Sequence, residues 1–325
     1  MEILGKIFKK DAKTFISDFT QHLIYSLFIV ALASFFTFFL LKKVFNQTIN
    51  DIRLDNTISV VNSKKITGMP VSDGDLYTER GSPYDNRTVD GATESAKVIF
   101  HGSRDKKKIA ITFDAEMTDG MKAALLSGKT KSSYDKRVTD ILIKTKTKAT
   151  LFLTGMWIEL YPKDTKELGA NPLFELGSHS FTDSSYHGFC YGLKQIPHTL
   201  AIEEIGATEK LLREHGGIDN RLFRFPGGCY TPEDVRLVNE ANDTVVHWDV
   251  VGADGFNENV SQIVRNVVDN TQNGSIIVLH MNGAPTAPKT ADALPEIISK
   301  LKAKGFEFVK VSELLNLPPE PAGGN

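Results

Sequence analysis

The sequence predicts an α/β chain: a β/α barrel of about seven parallel strands, preceded by one membrane-spanning helix and a polar linker. Three observations predict it. Short β-rich runs alternate with stretches of helical periodicity through the C-terminal two thirds of the 325 residues. No phosphate-binding glycine fingerprint follows any of those runs. One long uncharged apolar run stands near the N-terminus. Composition adds little: 41% hydrophobic, 24% charged and a net charge of −2 describe an ordinary globular chain and exclude the basic excess of a nucleic-acid binder.

The apolar run covers Leu23 to Leu41, nineteen residues without a formal charge, enough to cross a bilayer as a helix. Lys6, Lys9, Lys10 and Lys13 precede it and only Lys42 and Lys43 follow at once, which places residues 1–22 in the cytoplasm. Ala31-Leu32-Ala33 has the small-x-small form of a signal-peptide cleavage site, yet the run continues eight residues beyond it. The expectation is therefore an uncleaved signal anchor, with everything after Lys43 outside the cytoplasm, periplasmic or at the cell surface. Residues 42–100 are rich in Asn, Asp, Ser, Thr and Gly and read as a polar linker. The compact domain is expected over 101–316, and 317–325 (beginning Leu317-Pro318-Pro319) as a disordered tail.

Within the domain the β-rich runs are Ile109–Phe113, Ala149–Thr154, Phe174–His179, Leu222–Phe225, Thr244–Trp248, Ser275–His280 and Phe306–Val311. Val260, Ile263, Val264, Val267 and Val268 form a helical stripe, as do Leu294, Ile297, Ile298 and Leu301. Ile202, Ile205 and Leu212 make a weaker stripe that Gly216-Gly217 would stop. A barrel and an open doubly wound sheet both fit this count; the missing phosphate fingerprints favour the barrel.

In either architecture reactive groups stand at the carboxyl ends of strands. Those ends supply Asp114, His179, Arg224, Trp248-Asp249 and His280. Singly, each has an ordinary structural reading: a cap, a core histidine, half an ion pair. Together they form one rim of acid, base and aromatic groups. A carboxylate beside an arginine suits a base that must stay unprotonated, and two histidines offer a metal ligand and a proton donor. With no G-x-S-x-G and no H-E-x-x-H in the chain, metal-assisted hydrolysis ranks above an acyl-enzyme route.

From Lys108 to Leu315 the motifs resemble those of the NodB-type polysaccharide deacetylases, carbohydrate esterase family 4. Ile111-Thr112-Phe113-Asp114 resembles the family's TFDD motif, Leu222 to Gly228 its RxxP segment, Trp248 to Asp254 its fourth motif and Ile277-Val278-Leu279-His280 its LxH motif. Phe152-Leu153-Thr154-Gly155 is similar to its second strand. The resemblance implies a distorted (β/α) barrel and removal of N-acetyl groups from amino sugars of an extracytoplasmic polysaccharide, peptidoglycan- or chitin-like. It implies Asp114 as catalytic base, Arg224 and its partner Asp254 as its support, and His280 as general acid. It also gives the Gly227 N–H an oxyanion role, with Trp248 and Val278 lining the substrate pocket.

The resemblance further implies a divalent metal, zinc by family habit, held by the second Asp of TFDD and both histidines of H-S-x-x-H. Here those positions read Ala115 and His179-Ser180-Phe181-Thr182-Asp183, so only His179 is retained. Three readings follow, in order: a site rebuilt from His179, Asp183 and either Glu116 or His187; weak metal binding with little or no turnover; or a glycan-binding or assembly module. Carboxylate ligands shift preference towards harder ions. Glu116 would share a face with Asp114 only if strand periodicity continued past the expected strand end. His187 reads more simply as a loop histidine. Cys190 and Cys229, the only cysteines, are either free buried thiols or a bond pinning the second-motif loop to the third. Trp157, Trp248 and Phe256 could form an aromatic sugar platform, against core packing for Trp157.

Overall fold

The structure, a computed structural model, describes residues 97–188, 190–219 and 221–317. The anchor run 23–41 and nearly all of the linker and tail lie outside them. Among the described residues no helix is long and apolar enough to cross a membrane.

Nine strands form one sheet: β1 Val98–Ile99, β2 Lys108–Ala115, β3 Ala149–Leu153, β4 Phe174–Ser178, β5 Leu222–Phe223, β6 Thr244–Val246, β7 Val250–Val251, β8 Ile276–His280 and β9 Glu307–Phe308. Their order is β1-β6-β5-β4-β3-β2-β8-β7, every pairing is parallel, and β9 adds to the start of β2. All seven expected runs contain a strand. Two strands went unread, and both correct an expectation. Val98–Ile99 falls inside the stretch assigned to the linker, where it pairs with Val245 and Val246, so the folded domain starts before residue 101. Val250–Val251 shows that the fifth run does not end at Trp248-Asp249. The chain from 244 to 251 pairs with β5 at its start and β8 at its end, so this one path links the two ends of the sheet.

Strand alternation sorts the side chains. Ile109, Ile111, Phe113 and Ala115 of β2 join Leu151 and Leu153 of β3 and Ile277 and Leu279 of β8 in a large core under the helices. Ala110, Phe152, Leu222 and Ile276, on the other face, meet Val309, Val311 and Leu314, which close the floor. Thr112, Asp114, Arg224, Val278 and His280 continue the second set towards the strand ends, in keeping with period two.

Five of the helices that cover the strands start on side-chain caps. Thr118, Asp135, Thr154 and Asn259 accept from backbone N–H groups of their first turns, and Thr231 with Asp234 makes a capping box before Pro232–Glu240. Val260–Asn270 and Thr290–Ala303 bury the two stripes read from sequence. His198–Leu211 runs into a wide turn, Leu212–Gly216, that ends at Gly217 with φ 64°, close to the expected stop.

Candidate active site

Two buried ion pairs face one another across the neighbouring strands β2 and β8, where Asp114 and His280 are register partners. In the first, Arg224 Nη1 donates to Asp114 Oδ1 at 2.7 Å and to Thr112 Oγ1 at 2.7 Å, with Nε and Nη2 on the carbonyls of Val246 and His247. The guanidinium is fully buried and lies 4.0 Å above the Phe152 ring. Burial pulls its pKa down, against the pull of Asp114. In the second pair, His280 Nδ1 meets Asp254 Oδ1 at 2.8 Å, while Asp254 Oδ2 accepts from the His280 N–H at 2.8 Å and from Thr290 Oγ1 at 2.5 Å. This corrects the expected Arg224–Asp254 partnership: Asp254 holds His280, and Arg224 is taken up by Asp114. Burial opposes a charge on His280, but Asp254 and then Glu116 outweigh it and hold the imidazole well above its ordinary pKa. Burial likewise opposes charge on Asp254, and His280 with the hydrogen bonds overrides it and lowers the carboxyl.

A third group is only partly paired. Glu116, His179 and Asp183 bring one ligand atom each within 4.8 Å of one another. His179 Nδ1 is fixed by the Arg224 carbonyl at 3.0 Å, leaving Nε2 at 3.7 Å from Asp183 Oδ1 and 3.9 Å from Asp114 Oδ2. Both His179 Nε2 and Asp183 Oδ1 are buried without a hydrogen-bond partner. Burial lowers the pKa of His179, which keeps it a neutral donor of a lone pair. Burial, then the carboxylates of Glu116 and Asp114, push Asp183 well above its usual range. Buried polar atoms in such an arrangement are costly unless satisfied. Two carboxylates and one imidazole fit a divalent cation, and a harder one than three soft donors would.

The local backbone explains why these residues converge. β2 reaches Ala115, two residues further than expected, so alternation carries Glu116 to the face of Asp114 and turns Ala115 into the helix-covered core. Asn282 holds that end: its Oδ1 accepts from Glu116 N–H at 3.1 Å and its Nδ2 donates to Glu116 O at 2.7 Å. Glu116 Oε1 also lies 3.4 Å from His280 Nε2. The loop after β4 is set by Glu204, which accepts from the Ser180 hydroxyl, from Phe181 N–H and Thr182 N–H at 3.2 Å each, and from Thr182 Oγ1 at 2.5 Å. Ser180 and Asp183 take the left-handed region at φ 63° and 56°, and the turn swings the Asp183 carboxylate back to His179.

The remaining sequence assignments divide. Cys190 and Cys229 form a disulfide. It draws the second-motif loop so close to Gly227, at φ 61°, that a Cβ there would lie 2.5 Å from Cys190 Sγ; only glycine fits. Val278 is buried on β8, two residues before His280. Trp248 is half-buried against Arg224, 5.5 Å from its Cζ, and against Gly228. Asp249, expected on the rim, is instead at the start of β8: it accepts from Ile276 N–H at 2.8 Å and pairs with Arg104 at 2.7 Å. The correction follows from the unread strand β7, before which Asp249 falls. His187 is exposed and belongs to the loop, as its simpler reading had it. Trp157 is fully buried with Nε1 on the Ser133 carbonyl, so it is core and not platform. Glu204 and Asn282 were missed. Each had a signal: Glu204 lies three residues after Ala201 on the buried stripe that Ile205 and Thr208 continue, and Asn282 extends the 278, 280 alternation.

The family model for polysaccharide deacetylase matches residues 101–246. A peptidoglycan-N-acetylglucosamine deacetylase of Bacillus cereus is 30% identical over 227 residues, which cover 67% of this chain and 92% of that protein. The crystal structure of the Bc1960 peptidoglycan N-acetylglucosamine deacetylase superposes with a TM-score of 0.57 at 24% identity, covering 69% of this chain and 95% of that one. BA3943, described as a CE4 family pseudoenzyme from Bacillus anthracis, has the same fold: its TM-score is 0.55 at 23% identity, over 68% of this chain and 69% of that one.

Proposed function

This chain belongs to the polysaccharide deacetylase family, and we propose that it removes N-acetyl groups from amino sugars of a peptidoglycan- or chitin-like glycan outside the cytoplasm. The observation that carries the reading is the pairing of Asp114 with Arg224 and of His280 with Asp254 on adjacent strands. A module that only held sugar would have no need to bury two ion pairs side by side, since each costs desolvation. The curated relatives named for action on peptidoglycan support the substrate class, and the apolar run 23–41 supports an extracytoplasmic domain on a membrane anchor.

The residues divide the work. Asp114, oriented by Arg224, takes the proton from the attacking water. His280, whose Nδ1 is held by Asp254, donates from Nε2 to the departing amine, without which the amide would not part. The Gly227 N–H serves the oxyanion. His179, Asp183 and Glu116 would hold a divalent ion, which would supply Lewis acidity towards the acetyl carbonyl and acidify the water. The changed ligand set favours a second reading, a glycan-binding module without turnover. Acetate release from acetylated glycan by the full-length chain, with divalent ions added and after chelation, separates the two. Release that depends on added ion supports the deacetylase, and none under any ion supports the module.

A further inference from the structure

The turn Pro226–Gly228 holds two consecutive residues in the left-handed region, Gly227 at φ 61° and Gly228 at φ 68°. Glycines reach that region freely, but nothing in the glycines themselves keeps them there. The disulfide is one brace, since Cys190 Sγ crowds Gly227. A second neighbour is His247, a buried residue just after β6 with no part in the proton transfers described above.

Every polar group of His247 is engaged. Its N–H donates to the Ile99 carbonyl at 2.7 Å, and its carbonyl accepts from Arg224 Nη2 at 3.3 Å. The ring Nδ1 accepts from the Trp248 N–H at 2.9 Å, which assigns the ring proton to Nε2 and directs it at the Gly228 carbonyl, 3.3 Å away. The rings of Trp248, Phe100 and Tyr230 surround the imidazole, with centroids at 4.0, 4.8 and 5.7 Å. Burial pulls its pKa down to about 4, so the ring is neutral. The fit against the turn is tight: a Cβ on Gly228 would lie 3.0 Å from His247 Nε2 and 2.5 Å from Trp248 Cη2. A phenylalanine would fill this aromatic box without burying two ring nitrogens. What the imidazole adds is direction.

We propose that His247 is a positioning residue: its ring fixes the Gly227-Gly228 turn and its carbonyl fixes the Arg224 guanidinium, so that the oxyanion donor and the base keep one spacing. The assignment rests on the deacetylase reading, in which the Gly227 N–H serves the oxyanion and Arg224 orients Asp114. His247 acts through Gly228 and Arg224. Because the oxyanion exists only on the way through the transition state, a loosened turn costs kcat and spares KM.

The test is acetate release from the N-acetylglucosamine tetramer by the full-length chain with manganese present, comparing His247→Phe, His247→Met and His247→Gln. The first keeps an aromatic ring without the nitrogens, and the second has the shape of glutamine without its N–H. In both, kcat should fall roughly ten- to a hundredfold with KM within about twofold of the parent. His247→Gln, whose amide N–H can reach the Gly228 carbonyl, should recover most of kcat although it lacks the ring. Packing alone would rank phenylalanine above glutamine. Nitrogen-15 relaxation of the glycine-labelled chain reads the turn without turnover. Order parameters for Gly227 and Gly228 should stay near 0.85 in the parent and His247→Gln and drop below about 0.6 in His247→Phe and His247→Met. From a parent that turns over, glutamine no faster than phenylalanine and methionine overturns the positioning role. Unchanged order parameters in those two variants overturn it as well. A parent that releases no acetate, yet shows the loosening and its recovery in His247→Gln, sinks the deacetylase reading and leaves the brace standing.

Discussion

The rim treats buried charge in two opposite ways. On one side every charged group has a partner: Asp114 with Arg224, and Asp254 with His280, Thr290 and a backbone N–H. On the other, His179 Nε2 and Asp183 Oδ1 are buried and have no hydrogen bond at all. The paired side is complete as a set of protein groups. The unpaired side is not, because two lone-pair donors pointing at one another repel until something positive lies between them. On the proposed reading, the paired side carries the proton transfers with the chain's own groups, whereas the third charged cluster would take a cation.

Replacing a member of the paired side should have the largest effect. Asp114→Asn or His280→Ala is expected to lower kcat/KM for acetate release by roughly 10²- to 10⁴-fold, read against unchanged circular dichroism. An effect below about tenfold would remove those roles. Breaking the tie between the two sides comes next. Cys190→Ala with Cys229→Ala opens a cross-link spanning 39 positions, which should cost up to about 4 kcal/mol by the chain-entropy account, read in denaturant unfolding of the oxidised protein. No change in midpoint would show that the bond constrains little.

The unpaired side is sharpened by adding a divalent ion. A divalent ion at a hundredfold its Kd adds about 2.7 kcal/mol, which raises Tm by roughly 5–10 °C in a domain of this size. His179→Ala should abolish that rise. Asp183→His, by trading a carboxylate for an imidazole, should move the preference from manganese or magnesium towards zinc; an unchanged order of ions would take Asp183 out of the ligand set. The smallest effect is expected far from the rim. Asp243, just before β6, is pushed up to about 8 by burial and by Glu209 beside it. The folded chain therefore keeps a proton that the unfolded chain loses near pH 4, so stability falls as pH rises from about 4 to about 8. Asp243→Asn should raise Tm by roughly 3 °C or more at pH 8 and change it little at pH 4; a pH-independent difference would contradict the assignment.

The legibility of these features in the sequence followed their range of interaction. Asp114, Arg224 and His280 could be read because short motifs at strand ends fix their surroundings, and the two strongest helices because their stripes are uninterrupted. Asp254 was found but given the wrong partner, since a motif names a residue without saying which neighbouring strand end it meets. β7 could not be read, since Val250–Val251 is two residues long and is defined only by its partner β8. Asp249 was misplaced for the same reason. Glu116 was readable only as a conditional, because whether a strand ends at Phe113 or Ala115 is settled by pairing to β3 as far as Leu153, not by its own residues. Asp183 reaches its neighbours through a left-handed turn whose shape depends on Glu204, twenty-one positions away.

That last contact has a consequence for rates. Four donors of the 180–182 segment already converge on Glu204 in the chain alone. On the proposed reading a cation arriving there would have no loop to organise, and its capture would be timed by the shedding of its own hydration water. A chain lacking the Glu204 carboxylate would have to fold that segment around each ion anew, so loading would slow even where the final affinity was kept.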